Sequence, residues 1–243
     1  MTNATTELST VRIEYAKGGR LRFIGHLDTA RLLVRAVRAS GLPARMTQGH
    51  SPHLEVSFGP ALLLGATSDS EFFDVRLTEA VDPAAARQAL AAHVPDGIEI
   101  HTVRLIAGKA ESLGLVLNRA GYVLELPPEL TVAPEAVEQF LASEQIPVVR
   151  TRSGRDKTVN IRPWVERLEL CDTAGGGARL EITIVITPQG SANPLEVLGA
   201  LAGQDAARHP GVRVHRQRLY RDGDGTPSEG DGTSPEGDGM SPG

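Results

Sequence analysis

The chain has 243 residues, 40% of them hydrophobic and 23% charged, a balance that suits a soluble globular protein with one or two real cores. Its formal net charge of −5 sits at one end: residues 221–243 hold six acids and one Arg, so residues 1–220 balance at zero. The single cysteine, Cys171, excludes a disulfide framework and any Cys-rich zinc or iron–sulfur site. No apolar run reaches the ~20 residues of a membrane span and the polar first ten residues carry no signal-peptide core, so a cytoplasmic protein is expected.

Residues 1–10 are Thr/Asn/Ser-rich, and residues 222–243 are almost wholly Gly, Asp, Glu, Ser, Thr and Pro. Neither buries enough apolar surface to offset chain entropy, and both read as disordered. Between them one order of elements occurs twice. In the first unit, 11–108, a strand at 11–16 leads through the turn Lys17-Gly18-Gly19-Arg20 to a second strand at 21–24. A helix follows over about 26–40, with Leu27, Ala30, Val34 and Val37 at helical spacing and Gly41 and Pro43 ending it. Strands at 54–58 and 71–78 come next; in the latter Phe73, Val75 and Leu77 alternate with Asp74 and Arg76. Asp82-Pro83 opens a helix to about 93, and 98–106 is the last strand.

A linker at 109–120 joins the second unit, 121–221. It offers a strand at 121–126, a helix at 134–143, and a hairpin of 165–171 and 179–187 around Gly175-Gly176-Gly177. Asn193-Pro194 caps a helix to about 202, and 212–220 closes the unit. Cys171 lies in a strand, where a buried, inert thiol is expected. The twice-repeated order strand–helix–strand–strand–helix–strand predicts an α+β fold of two tandem ferredoxin-like (βαββαβ) domains with disordered termini.

In each unit the segment between first helix and second strand is enlarged, 43–53 and 146–163, and rich in basic residues or His. Arg31, Arg35 and Arg38 share one face of the first helix; planar guanidinium groups in a row suit a phosphodiester backbone, and a plain solvated face has the same look. Arg45, Gln48, His50 and His53 lie in the first enlarged loop, where contact with RNA or a partner competes with loop structure alone. Arg150, Arg152, Arg155 and Lys157 alternate with small polar residues as in an exposed hairpin, followed by Arg162 and by Trp164, which either stacks on a base or anchors the loop. No metal site is expected. His26 at the helix start, with Tyr15 not far away in sequence, could move protons for metal-free RNA cleavage; a structural His is the plainer reading.

The strings Leu21-Arg22-Phe23-Ile24-Gly25-His26-Leu27-Asp28, Gly49-His50-Ser51-Pro52-His53, Gly65-Ala66-Thr67-Ser68-Asp69-Ser70-Glu71-Phe72-Phe73-Asp74-Val75 and the later segment from Lys157 to Ile161-Arg162-Pro163-Trp164 resemble the bacterial radical SAM-linked proteins, over roughly 11–220. His50-Ser51 departs from the Phe-Asn of a common family form. The resemblance implies a domain of unknown function fused to or encoded beside a radical SAM protein. It implies no cofactor held by this chain, the iron–sulfur cluster and S-adenosylmethionine belonging to the partner. The resulting expectation is an accessory subunit that binds RNA and presents it to the partner, with neither DNA nor membrane involved. By analogy of fold with CRISPR repeat-processing endoribonucleases, a metal-independent endoribonuclease using His26 is the enzymatic alternative, and a protein-only interaction module is a third.

Overall fold

β1 (Thr10–Lys17) points Val11, Ile13, Tyr15 and Lys17 inward, all four buried, and Arg12 and Glu14 to the other face. Both of its edges are taken, one by β3 (Thr67–Arg76) and one by β4 (Ile98–Ile106), each antiparallel. No edge is left for a strand at 21–24, so the expected hairpin does not form. The segment is a 3₁₀ turn over Gly19–Phe23, and Gly18 N donates to Gly97 O at 2.8 Å. These features belong to a computed structural model that describes residues 9–106, 110–172 and 177–223.

α1 (His26–Ala39) buries Thr29, Leu33, Ala36 and Val37, while Leu27, expected in its apolar stripe, is 70% exposed. Leu27 lies six residues from Leu33, about 120° around the helix, on the solvent side. β2 (Val56–Phe58) pairs with the far half of β3. α2 (Pro83–Ala91) starts where expected, its N-cap Asp82 accepting from Ala85 N at 2.9 Å.

The segment expected as a linker is structured from residue 113. α3 (Leu113–Val116) buries Leu113, the following Leu117 is also buried, and β5 (Arg119–Leu126) begins two residues before the expected strand. α4 (Pro134–Ala142) leads to a separate two-stranded ribbon of β6 (Pro147–Arg152) and β7 (Arg155–Asn160). β8 (Val165–Asp172), β9 (Ala178–Val185), α5 (Pro194–Ala202), the short α6 (Gln204–Ala207) and β10 (Arg213–Tyr220) complete the chain. Asn193 and Glu196 form a reciprocal capping box at α5. The glycine turn at 175–176 and most of both termini lie outside the described residues. Thr10 and Asp222, expected as disordered, are engaged: Thr10 in β1, and Asp222 N donating to Asn118 Oδ1 at 2.7 Å.

The protein is a mixed α+β fold built on one large, mostly antiparallel sheet with few helices. Its strands run β4-β1-β3-β10-β5-β9-β8, with β2 beside β3. Within each half the order is fourth, first, third, second strand, and every pair is antiparallel. The halves join through a short parallel pairing of β3 and β10, His215 opposite Thr67 and Arg216 opposite Ser68. One core gathers around Ile13, Leu33, Phe73 and Val75, the other around Leu124, Ile161, Leu180, Ile182 and Leu198. Each such fully buried side chain stabilises its half by about 1.5–3 kcal/mol. Among the described residues no helix is long and apolar enough to cross a membrane.

Candidate nucleic-acid interface

At the seam between the halves, Arg216 on β10 is 2% exposed. It donates from Nε and Nη2 to the Tyr122 hydroxyl at 3.0 and 2.7 Å, and from Nη1 to Glu71 Oε1 at 2.7 Å. The carbonyls of Pro60 and Ala61 take its remaining N–H groups at 3.1 and 2.9 Å. Burial works against that charge, and Glu71 and Tyr122 outweigh it, so the guanidinium pKa is raised. Burial also raises the pKa of the Glu71 carboxyl, with Arg216 opposing, and that of the Tyr122 phenol. Lys17, buried beside them with its pKa lowered by burial, donates to Ile24 O at 2.9 Å. All five guanidinium donors are spent inside the protein, so Arg216 clamps the two halves and has none left for a ligand.

Above the seam a cavity of about 600 Å³ is lined by His26 and Gly25 from the start of α1, by Pro60–Leu64, by Arg150, and by Asn193 and Glu196 at the start of α5. The structure therefore brings His26 and Arg150 to one cleft. Tyr15 is not part of it. Its ring is buried edge-on against Phe73 in the first core, 5.7 Å between centroids, and burial pushes its phenol pKa far up. His26 packs edge-on against Phe58 at 6.0 Å. The pairing of His26 with Tyr15 is thus corrected: strand parity sends Tyr15 into the core, where no substrate proton is within reach.

The ribbon β6–β7 is the most exposed basic element, with residues 151–158 all exposed. Its register places Arg152 opposite Arg155 and Arg150 opposite Lys157. The turn between them uses left-handed Ser153 and Gly154, φ 51° and 72°. Arg150, the fourth residue of β6, is held: it grips Glu196 with two bonds of 2.6 Å and Ser191 O at 2.8 Å, and lies 5.5 Å over the Trp164 ring. Trp164 packs on the second core, and Gly190, φ 138°, leaves room for it where a Cβ would come within 3.1 Å of the indole. Trp164 is therefore an anchor. Arg162 is also structural, donating to Leu141 O at 2.9 Å and Val165 O at 2.7 Å. Arg152, Arg155 and Lys157 make no ion pair among the described residues, and the one ribbon acid, Asp156, accepts from Thr151 at 2.6 Å.

On α1, Arg31, Arg35 and Arg38 are all exposed; Arg31 pairs with Asp28 at 2.9 Å, leaving Arg35 and Arg38 unpaired among the described residues. In the first enlarged loop, Arg45 pairs with Glu55 at 3.4 Å, and the His53 ring sits 3.1 Å from the Thr47 hydroxyl, while Gln48 and His50 are exposed. Both enlarged loops enter at the same end of the sheet, because β3 and β10 run parallel and each loop delivers its strand beside the end of that frame. β2 and β10 lie along the same edge of β3, so β2 and β8 are three strand spacings, roughly 14 Å, apart. Arg45 and Arg150 are neutralised by Glu55 and Glu196, and the unpaired charge among the described residues is at the ribbon tip and on α1. Cys171 is half-buried on β8, not in the core.

Glu71, Tyr122 and Arg216 were not singled out from sequence. A signal existed: Glu71 shares the parity of buried Phe73, Val75 and Leu77, and Lys17 that of Val11 and Ile13. A charge on an inward strand position demands a buried partner.

No curated protein matches the chain. Among solved structures it is similar to a Cbf5–Nop10–Gar1 complex at TM-score 0.42 and 10% identity, covering 89% of this chain and 51% of that one. It also aligns with an archaeal box H/ACA sRNP Nop10–Cbf5 complex at TM-score 0.39 and 10% identity, over 89% and 50%. A putative glycine cleavage system transcriptional repressor aligns at TM-score 0.23 and 8% identity, over 88% and 98%. The chain spans about half the length of the first two. A family profile matches residues 10–195, and the chain accordingly belongs to a family of uncharacterized proteins conserved in bacteria (DUF2344).

Proposed function

We propose that this protein is a cytoplasmic, non-catalytic adaptor that binds RNA along the β6–β7 ribbon and presents it to a radical SAM enzyme. The observation that carries the RNA reading is a ribbon standing apart from the main sheet with Arg152, Arg155 and Lys157 exposed and unpaired among the described residues. Such cations gain most from a polyanion, because binding releases condensed counterions. The radical SAM partner rests on the sequence resemblance, and the cluster and S-adenosylmethionine belong to that partner. The strand order of each half supports reading both as ferredoxin-like units fused edge to edge. Cleavage by His26 has weaker support, since Tyr15 is remote from the cleft and His26 contacts an aromatic core residue.

The test is binding of a labelled single-stranded RNA as salt rises. Three ribbon contacts give a slope near −2 in log affinity against log salt, or roughly a twentyfold loss between 50 and 200 mM. Arg152→Ala/Arg155→Ala/Lys157→Ala should remove most of that slope. Salt-independent binding, or none, sinks the proposal. RNA cut in EDTA and spared by His26→Ala would restore the enzymatic reading, and a protein partner retained after nuclease treatment with no RNA bound would favour the interaction module.

A further inference from the structure

Strand parity fixes where the ribbon's cations point. Arg150 and Arg152 are two residues apart on β6, and their partners across the ribbon are Lys157 and Arg155, so all four side chains share one face. Val148 lies on that face too and packs against the second core, whereas Val149 on the opposite face is 61% exposed. The cationic face is therefore the inner one. Arg150 joins it to the cleft at the seam: its guanidinium grips Glu196 and Ser191 O, and all three residues line that cleft. Arg152 stands about 7 Å farther along the strand, on the same face and with no ion pair among the described residues.

The cleft has the size and lining of a binding site for a small organic group. Its volume of about 600 Å³ falls inside the range of about 300–1,000 Å³ usual for such sites. Leu62, Leu63, Ile184 and Ile186 supply apolar walls. Two polar groups complete the lining. Asn193 Oδ1 accepts from Leu195 N, which leaves the side-chain amide N–H groups without a hydrogen bond among the described residues, and the half-buried His26 ring has none there either. A phosphate would gain nothing from the apolar walls. A heterocyclic base uses both features, its faces against Leu and Ile side chains and its edge on His26 and Asn193. We propose that the cleft receives one unstacked base of a single-stranded RNA whose phosphates lie along the inner face of the ribbon. A paired base would first have to leave its duplex, so the site selects single strands.

The inference rests on the RNA reading and deepens it, and its test separates the two. The full, unmodified chain is titrated at low salt with a short single-stranded oligoadenylate and with an abasic oligomer of the same length and charge. The backbone amide resonances of residues 152–157 should move with both strands, since both carry the phosphates. The side-chain methyl resonances of Leu63, Ile184 and Ile186 should move with the oligoadenylate alone, and that strand should bind about ten- to a hundredfold more tightly than the abasic one. Ribbon amides that respond to both strands, with cleft methyls that stay still or respond equally to both, overturn the inference and leave the RNA reading standing. Cleft methyls that respond to the oligoadenylate while the ribbon amides do not keep the base site and overturn the ribbon's part in it. No movement anywhere overturns both.

Discussion

Arg216 and Arg152 are the same residue type in opposite settings. Arg216 is buried, and its donors end on Glu71, Tyr122 and the carbonyls of Pro60 and Ala61. Arg152 stands on an exposed ribbon opposite Arg155, with no ion pair among the described residues. A guanidinium taken out of water has to be fully satisfied by the protein, so the first is structural. One left in water keeps its donors for a partner, so the second is the candidate for binding. Arg150 lies between these extremes: part-exposed, it donates hydrogen bonds to Glu196 that hold its charge and raise its pKa, and it fastens the ribbon to α5.

The comparison breaks most visibly at the seam. Arg216→Ala should cost about 3–5 kcal/mol in denaturant unfolding, because it strands a buried carboxylate. Burial raises the folded-state pKa of Glu71, and losing Arg216 raises it further. A carboxyl with a raised folded pKa favours the folded state at low pH, so the variant's stability should fall as pH climbs from about 4.5. A loss under about 1 kcal/mol, independent of pH, would mean the clamp does not join the halves.

A smaller effect should appear in alkali. Tyr15 and Tyr122 have folded pKa values raised by burial above the ordinary 10.0. Their stabilisation is complete below pH 10 and declines above it as the unfolded chain ionises first. Lys17, with its lowered pKa, is neutral in both states above about pH 10.5 and then adds no slope. Stability should therefore drop by about 1.4 kcal/mol per pH unit for each shielded phenol. Phenolate absorbance rising in step with loss of circular dichroism is the expected signature; two phenols ionising before unfolding would contradict it.

The smallest effect belongs to the ribbon. Arg152→Ala, Arg155→Ala and Lys157→Ala should each change stability by within about 0.5 kcal/mol while weakening RNA binding. A large loss of stability would turn these residues into structural ones and erase the contrast with Arg216.

Much of the architecture was readable locally. The helix starts at Asp82-Pro83 and Asn193-Pro194 follow from side-chain caps, and Leu180, Ile182 and Ile184 announce an inward-facing strand that is found buried. The basic ribbon was legible because Arg alternating with Ser, Thr and Gly suits no core. The 3₁₀ turn at Gly19–Phe23 was not, because whether 21–24 becomes a strand depends on β1's edges, and a segment from residue 98 onward takes one of them. α3 was missed for a related reason: four residues are too few to show a helical period.

Local chemistry, then, determined the types of element, their order and the basic character of the ribbon, since propensity, capping and periodicity act over a few neighbouring residues. Only the tertiary structure decided which charges are spent and which are free. Arg216 and Glu71 are 145 residues apart, and β3 meets β10 over two residue pairs. No pattern along the chain encodes that meeting; it arises when two sheets, each with its own core, join edge to edge through β3 and β10.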